Sequence, residues 1–324
     1  MNEISALVKN VSEGDYKALA KAITIVENDL EGSEKLLESI SIRNIPLIGV
    51  TGPPGAGKSS LVNSLISQLL SPKPSSEKKN LKIGVVTVDP TSPFNFGSLL
   101  GDRIRMSQHF NHPDVFIRSL ATRGSLGGLS EKIAEVTDLM KAAPFDFLFV
   151  ETVGVGQSEV EIAGLADTTI VVLVPEAGDE VQTMKAGLME IADIFVVNKS
   201  DHVDADRFAK NLKTLTTSPS PTKGEERSRT WQIPIVKTVA IRNEGVEELL
   251  EQIQKHQESG IQNERKTFLL TEKVWRIIVK EKMKDVSRKD LYDAIQSALQ
   301  KNDFNVYQFA KAFSEKTSRK RTVV

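Results

Sequence analysis

The stretch GPPGAGKS, residues 52–59, decides how this chain is expected to fold. Its spacing of glycine, four residues, glycine, lysine and serine is that of a P-loop. An apolar run at 45–50 precedes it and is typical of a buried strand, and residues 61–66 begin a helical pattern. Glycines let the backbone curl so that N–H groups point at an anion, and the helix N-terminus adds its dipole. The stretch therefore predicts a phosphate site between a strand and a helix.

Side chains in and around this stretch have the chemistry to hold a phosphate and a metal ion. Lys58 can place its charge on the outer phosphates, and Ser59 can give its hydroxyl to Mg²⁺. Three acids lie near predicted strand ends: Asp89 and Glu151 each end a predicted strand, and Asp102 lies on the loop beyond Asp89. Mg²⁺ prefers hard oxygen ligands, and ligands of parallel sheets lie at the carboxyl ends of strands. These acids are candidate metal ligands, although Asp102 is as readily explained as a solvated loop acid.

Apolar runs alternate with helical patterns through the middle of the chain. Further strands are predicted at 82–88, 115–117, 145–150, 169–174, 194–197 and 234–239. Helices are predicted between most of them, including one at 129–141. This alternation is typical of an α/β fold, with a mostly parallel sheet and helices on both faces.

Helical patterns without strands occupy both ends of the chain. Residues 1–44 are predicted to be helical, with one apolar face formed by Leu19, Ala22, Ile23, Val26 and Leu30. Residues 262–316 are also predicted to be helical and carry many apolar side chains. These can fold back on the core or form a dimer interface, and the sequence leaves both open. The predicted division is a helical extension at 1–44, a P-loop domain at 45–260 and a C-terminal helical arm at 261–324.

A second motif, Asn198-Lys199-Ser200-Asp201, follows the predicted strand at 194–197. A carboxylate in this place can accept two parallel hydrogen bonds, from the ring N–H and the exocyclic amine of guanine. Adenine offers no such pair of donors and would leave the carboxylate unpaired. Asn198 and Lys199 are expected to hold the loop and cover the base, so the motif favours guanine over adenine.

Composition excludes several other classes of protein. The chain has 324 residues, a net charge of −1 and no cysteine, which excludes disulfides and thiolate metal sites. Its charge gives no overall field for nucleic acid or membrane, and no apolar run approaches a membrane span. We therefore expect a cytoplasmic enzyme or switch with no nucleic-acid or membrane partner. The histidines lack accompanying ligands and are expected at the surface or in the core: His109, His112, His202 and His256.

Several longer blocks of sequence resemble the MeaB/ArgK family. The blocks are 52–60 (GPPGAGKSS), 88–93 (VDPTSP), 101–106 (GDRIRM), 151–159 (ETVGVGQSE), 177–193 (AGDEVQTMKAGLMEIAD) and 198–201 (NKSD). Members are GTPase chaperones of adenosylcobalamin-dependent acyl-CoA mutases, chiefly methylmalonyl-CoA mutase. The resemblance implies a GTPase that binds GTP or GDP with Mg²⁺ and gates B12 loading of such a mutase. It also implies a homodimer formed through the C-terminal arm, and a mobile switch at 178–190.

The resemblance also implies roles for individual residues. Mg²⁺ would be surrounded by Ser59, Asp89, Asp102 and Glu151, and catalysis would involve Lys58, Asp102 and Glu151. Contacts to the nucleotide would come from Gly52, Pro53, Pro54, Gly55, Ala56, Gly57, Lys58, Ser59, Ser60, Asn198, Lys199, Asp201, Val239, Ala240 and Ile241. Val239 replaces the usual serine of the family, which removes a hydroxyl contact and leaves a backbone N–H contact possible. Asn95 and Phe96 replace small residues in a switch segment.

Two other functions share a P-loop core and stay open at this point. A nickel-insertion GTPase needs histidine or cysteine clusters, which this sequence lacks. A transport-linked small-molecule kinase needs an acceptor pocket and a base near the γ-phosphate, and we locate neither.

Overall fold

Seven parallel strands build one sheet within the described part of this computed structural model. The described residues are 3–71, 80–89, 106–121, 132–152, 154, 158–177, 186–217, 231–261, 264–283, 286–300 and 304–321. The strands are β1 (Leu47–Thr51), β2 (Ile83–Asp89), β3 (Val115–Ala121), β4 (Phe147–Glu151), β5 (Thr168–Leu173), β6 (Ile194–Val197) and β7 (Ile235–Lys237).

Helices precede, connect and follow these strands. In the first half of the chain they are α1 (Glu3–Glu13), α2 (Tyr16–Glu27), α3 (Ser33–Ser39), α4 (Lys58–Leu70), α5 (Ile133–Ala142) and α6 (Ser158–Leu165). In the second half they are α7 (Ala186–Ile191), α8 (Ala205–Thr217), α9 (Val246–Glu258), α10 (Glu264–Lys282), α11 (Arg288–Leu299) and α12 (Val306–Arg321). The predicted α/β class is therefore confirmed, with helical segments at both ends.

The strand order places β1, and with it the P-loop, at the centre of the sheet. The order is β3-β2-β4-β1-β5-β6-β7, and every pairing is parallel. Val50 lies opposite Glu151 of β4 on one side and Ile170 of β5 on the other. The chain reaches β4 only after passing through β2 and β3, so the strand order reverses next to β1. Ligands of open α/β sheets bind outside the carboxyl ends of the strands at such a point.

Both faces of the sheet are buried, which is why its strands read as continuous apolar runs. On β4, Leu148 and Val150 pack into one cluster with α1, α2, α3 and α5. Phe149, between them, packs into the opposite cluster with α4 and α9. The alternation follows from the two-residue period of a strand, so each face has its own core.

The N-terminal helices pack on the first of these faces. Leu19, Ala22, Ile23 and Val26 of α2 are buried there, as their spacing predicts. Leu30 was predicted on the same face, and that prediction is wrong. The helix ends at Glu27, so Leu30 lies beyond the helical period and its side chain is 49% exposed.

Strand β3 is longer than its apolar pattern suggested. The sequence predicted 115–117, whereas β3 continues to Ala121 in register with Asp89 of β2. Arg118 and Ser119 interrupt the apolar run because β3 is an edge strand. The Arg118 guanidinium donates to the Glu27 carboxylate of α2 at 2.7 Å, so its charge is paired on the sheet surface. Other strand and helix ends differ from the predictions by a few residues, as expected for element boundaries.

The chain divides into two compact units, Met1–Lys266 and Thr267–Val324. The second unit, taken by itself, is helical and exposes large apolar side chains, among them Phe268, Val274, Trp275, Ile277 and Ile278. The division into 1–44, 45–260 and 261–324 stays a prediction. No helix in the described ranges combines the length and the apolar character that crossing a membrane requires.

Candidate nucleotide site

The P-loop turns between β1 and the first residue of α4, and two of its glycines are required by close contacts. Gly52 has φ of 137°, and a Cβ there would collide with the Val172 carbonyl oxygen of β5. Gly57 has φ of 86°, and a Cβ there would collide with the Asn198 amide. Left-handed backbone angles and such contacts favour glycine over any side chain. The turn therefore brings backbone N–H groups and the α4 N-terminus to the carboxyl end of β1.

Lys58 is buried and lies across the base of this turn. The residue is only 6% exposed, and its Nζ donates to the carbonyl oxygens of Gly52 at 2.8 Å and Pro53 at 3.1 Å. Gly154, shortly after β4, lies against the same atoms: a Cβ there would collide with Nζ and with the Gly52 oxygen. The ammonium is therefore held between the P-loop and the segment that follows β4.

Ser59 and Glu151 bring two hard oxygen donors together beside Lys58. The Ser59 hydroxyl donates to Glu151 Oε1 at 2.6 Å, and both residues are 3% exposed. A hydroxyl and a carboxylate oxygen in contact fit the donor set that Mg²⁺ takes in proteins. Asp89 closes β2, but its side chain and all of Asp102 lie outside the described residues. Among the residues that are described, no three acids or histidines form a metal-binding group.

A pair of threonines that sequence reasoning missed connects the same two strands. The Thr152 hydroxyl donates to the Thr51 hydroxyl at 2.9 Å, and the Thr152 N–H donates to the Val50 carbonyl at 3.1 Å. Thr51 directly precedes Gly52 and Thr152 directly follows Glu151, so adjacency to the motifs is the signal that could have found them. The pair fixes the ends of β1 and β4 against each other.

Asn198 joins the base motif to two other loops. Its Nδ2 donates to the Ala56 carbonyl at 2.8 Å, and its Oδ1 accepts from the Thr238 hydroxyl and the Ala240 N–H, both at 3.1 Å. The residue is 3% exposed. The P-loop, the motif after β6 and the turn after β7 are therefore connected through one amide.

The charged residues of the motif face outward from this connection. Lys199 has φ of 54°, and its Nζ donates to the Glu176 carboxylate at 3.4 Å. Asp201 lies 3.4 Å from the guanidinium of Arg242, and its carboxylate is 46% exposed. The Asp201 carboxylate therefore lies beside the turn after β7 and is half-exposed, which leaves it accessible to a purine base.

The turn after β7 holds the three residues implied as further base contacts. Val239 and Ala240 are buried, whereas Ile241 is 82% exposed. The Val239 N–H donates to the Glu244 carbonyl, and the Ala240 N–H donates to Asn198. The Val239 N–H therefore closes the turn itself, the Ala240 N–H holds the turn to the base motif, and Ile241 is the side chain that faces solvent.

Two of the four histidines are buried away from these loops. His109 Nε2 lies 3.2 Å from the Ser67 hydroxyl, and His256 Nδ1 lies 2.9 Å from the Thr168 hydroxyl. Burial lowers the pKa of both imidazoles below the usual value. For His256 the carboxylates of Asp193 and Asp167 act in the opposite direction. Both are core histidines, one of the two environments expected for them.

Comparison with protein families identifies the chain. The sequence model described as "Methylmalonyl Co-A mutase-associated GTPase MeaB" matches residues 19–296. The chain belongs to the MeaB family of GTPases. The family's P-loop fold and its name as a GTPase make this chain a guanine-nucleotide-binding enzyme that hydrolyses GTP.

Individual relatives of this MeaB-family chain agree with the family match. The Pyrococcus horikoshii protein PH0274 is 44% identical over 324 residues and covers 98% of this chain and 99% of the relative. The GTPase ArgK of Escherichia coli is 35% identical and covers 75% of this chain and 72% of the relative. A solved structure named LAO/AO transport system kinase superposes with a TM-score of 0.63 at 24% identity, covering 97% and 98% of the two chains. At that identity the superposition shows the fold alone.

Proposed function

We propose that this MeaB-family GTPase is a chaperone of a B12-dependent acyl-CoA mutase, with methylmalonyl-CoA mutase as the expected partner. The observation that carries the proposal is the family match over residues 19–296, whose name associates its members with that mutase. A Caenorhabditis briggsae relative named methylmalonic aciduria type A homolog, mitochondrial, is 35% identical over 260 residues and supports the same direction. The chaperone would gate loading of the cobalamin cofactor with its own nucleotide cycle.

Lys58, Ser59 and Glu151 are proposed to act on the phosphates. Lys58 Nζ, now on the carbonyls of Gly52 and Pro53, would turn to the β- and γ-phosphates. Ser59 and Glu151 would hold Mg²⁺, with Asp89 and Asp102 as the further predicted ligands. When bound, Mg²⁺ supplies positive charge against the phosphate oxygens. A P-loop and its helix N-terminus would supply the remaining N–H donors.

Asn198, Lys199 and Asp201 are proposed to bind guanine. The Asp201 carboxylate would accept from the ring N–H and the exocyclic amine, while Asn198 keeps the base loop attached to Ala56 of the P-loop. A base bound at Asp201 and phosphates bound at Lys58 would thus be held by loops already joined to each other.

Gly154 supports the gating step. It lies against Lys58 and the P-loop, so a γ-phosphate entering beside Lys58 would displace the segment that follows β4. Hydrolysis would remove that displacement, which gives two states that a partner could distinguish. The other proposed switches are at 89–102 and 178–185, and all of their residues except Asp89 lie outside the described residues.

The proposal is tested by measuring GTP hydrolysis with and without apo methylmalonyl-CoA mutase. We expect the mutase to change the turnover rate, and cobalamin transfer to the mutase to require GTP. A Lys58→Ala variant, which loses the phosphate contact, is the control and should show neither effect. Unchanged hydrolysis at saturating mutase, together with nucleotide-independent cobalamin transfer, would refute the chaperone role.

Dimerisation through the C-terminal helices is proposed as well. The second unit exposes aromatic and aliphatic side chains, and Phe309 stacks with Phe313 at 5.8 Å within it. Interfaces are enriched in such residues. Sedimentation of the full chain and of a Trp275→Glu variant tests this, since the charge should dissociate the dimer. A cytoplasmic location stays a prediction, and no observation favours the kinase or the metal-insertion reading.

A further inference from the structure

Arg242 is a charged residue beside the base motif that neither the sequence motifs nor the family resemblance assigns. Its Nη1 lies 3.4 Å from Asp201 Oδ2. It sits at the end of the short 3₁₀ turn Ala240–Arg242, one residue beyond the predicted base-contacting positions. A guanidinium beside the carboxylate that reads the base either positions that carboxylate or competes for it.

The turn that carries Arg242 is held tightly at its two ends. The Val239 N–H donates to the Glu244 carbonyl at 3.1 Å, and the Glu244 N–H donates back to Val239 at 3.3 Å. Asn243 between them adopts a left-handed conformation with φ of 58°. The Ala240 N–H is fixed on Asn198. The backbone of the turn is therefore anchored both to itself and to the base motif.

Glu244 then fixes the guanidinium of Arg242. Nε donates to Glu244 Oε1 at 2.8 Å, and Nη2 lies 3.5 Å from Oε2. This fork uses one edge of the planar guanidinium and leaves Nη1 facing Asp201. Arg242 is therefore presented to Asp201 in one orientation.

The geometry allows guanine and Arg242 to contact Asp201 together. A carboxylate offers about four lone-pair sites, and a base that binds as a fork takes one from each oxygen. The remaining site on Oδ2 is open to Nη1. The terminal torsion of aspartate is broad, so an exposed carboxylate needs an external contact to fix its plane.

We propose that Arg242, locked by Glu244, is a positioning residue that orients the Asp201 carboxylate to read both N–H donors of guanine. This inference rests on the proposed role of Asp201 in binding guanine. Because an oriented carboxylate meets both donors at once, Arg242 would raise the discrimination between guanine and hypoxanthine, which lacks the exocyclic amine.

The test compares GTP with ITP, whose base is hypoxanthine, by calorimetry with the full chain and a non-hydrolysable form of each nucleotide. Exposed ion pairs contribute modestly, so Arg242→Ala should raise the Kd for the GTP analogue about two- to fivefold. The Kd for the ITP analogue should rise less, so that the ratio of the ITP-analogue Kd to the GTP-analogue Kd becomes smaller. Arg242→Lys should restore the ratio only in part, because lysine cannot contact Glu244 as a fork and Asp201 together.

Arg207→Ala is the matched control. Arg207 lies on α8, pairs with Asp204 of the preceding loop at 3.0 Å, and has a side chain that is 78% exposed. That variant should leave both affinities and their ratio unchanged. A parallel rise for both nucleotides in Arg242→Ala would indicate a merely structural role and overturn the proposal. Tighter binding would overturn it too, because Arg242 would then be a competitor of the base. Failure of the unaltered chain to bind guanine nucleotide would instead refute the proposed function.

Discussion

Replacing Asn198 with alanine should damage both stability and nucleotide binding, because this one amide joins three loops. Its partners are the Ala56 carbonyl, the Thr238 hydroxyl and the Ala240 N–H. All four residues are at most 3% exposed, so water cannot readily take the place of the amide. The variant would leave three buried polar groups to find other partners.

The size of the effect follows from those contacts. A buried polar group that loses its partner costs roughly 1–3 kcal/mol. Because the loops relax in part, and because neighbouring effects are not additive, we expect a loss of about 3–5 kcal/mol in the free energy of unfolding. That is a large share of the roughly 5–15 kcal/mol typical of native proteins, so the variant should fold with a clearly lowered urea midpoint. Its Kd for GDP should rise about tenfold or more, since the P-loop and the base loop are no longer held together.

Urea unfolding and calorimetry with GDP measure the two effects. The chain has two tryptophans, so a Trp275→Phe background leaves Trp231 as the fluorescent reporter of the first unit. Thr238→Val provides a graded control, because it removes one bond while the Ala240 N–H still satisfies Asn198 Oδ1. It should cost about 1 kcal/mol. A midpoint and a Kd for GDP in Asn198→Ala that equal those of the background would refute the idea that this amide joins the loops.

Four further outcomes are expected. Asp201→Asn should weaken GTP binding about 10- to 100-fold and strengthen XTP binding, because the amide offers a donor where guanine needs an acceptor. Competition between GTP and XTP for the variant measures this change in base preference. Glu151→Gln should lower the rate of GTP hydrolysis about 10- to 100-fold and raise the Mg²⁺ concentration needed for half-maximal turnover, because it removes a proposed carboxylate ligand. GDP binding without Mg²⁺ should change little. A Mg²⁺ titration of turnover measures the first two effects. Burial lowers the pKa of His256 and His109 in the folded state, so the unfolded chain binds more protons than the folded chain as the pH falls through the usual histidine value near 6.5. The free energy of unfolding should therefore decline towards acid pH. His256→Asn should flatten a plot of that free energy against pH. Tyr16 has a buried hydroxyl with no hydrogen-bond partner among the described residues, and burial raises its pKa to about 12, so Tyr16→Phe should be neutral or stabilising by up to about 1 kcal/mol in thermal unfolding.

Local sequence patterns predicted the class of fold and the positions of the motifs. The apolar runs before Gly52 and Asn198 became β1 and β6, because strands buried on both faces are continuous in hydrophobicity. The apolar pattern gave wrong predictions at two partly buried positions. Arg118 interrupts the apolar run of edge strand β3, so the second half of the strand was not predicted. Leu30 fits the helical period of α2 but lies beyond the end of that helix. For β3 a tertiary contact decided the outcome, since Arg118 pairs with Glu27 of α2, whereas for Leu30 the local end of α2 at Glu27 decided it.

The sequence by itself determined that this chain has a parallel α/β core, a phosphate-binding turn after its first strand and a guanine-type motif after its sixth. Glycine spacing and apolar period are local properties, so they can be read along the chain. Only the tertiary structure decided that Asn198 bonds to Ala56, that Ser59 meets Glu151 and that Arg242 faces Asp201. These contacts join segments far apart in sequence, and they depend on a strand order that places β4 and β5 on either side of β1 and β7 beside β6. No local pattern encodes that order, because it is set by how the helices and strands pack into one core.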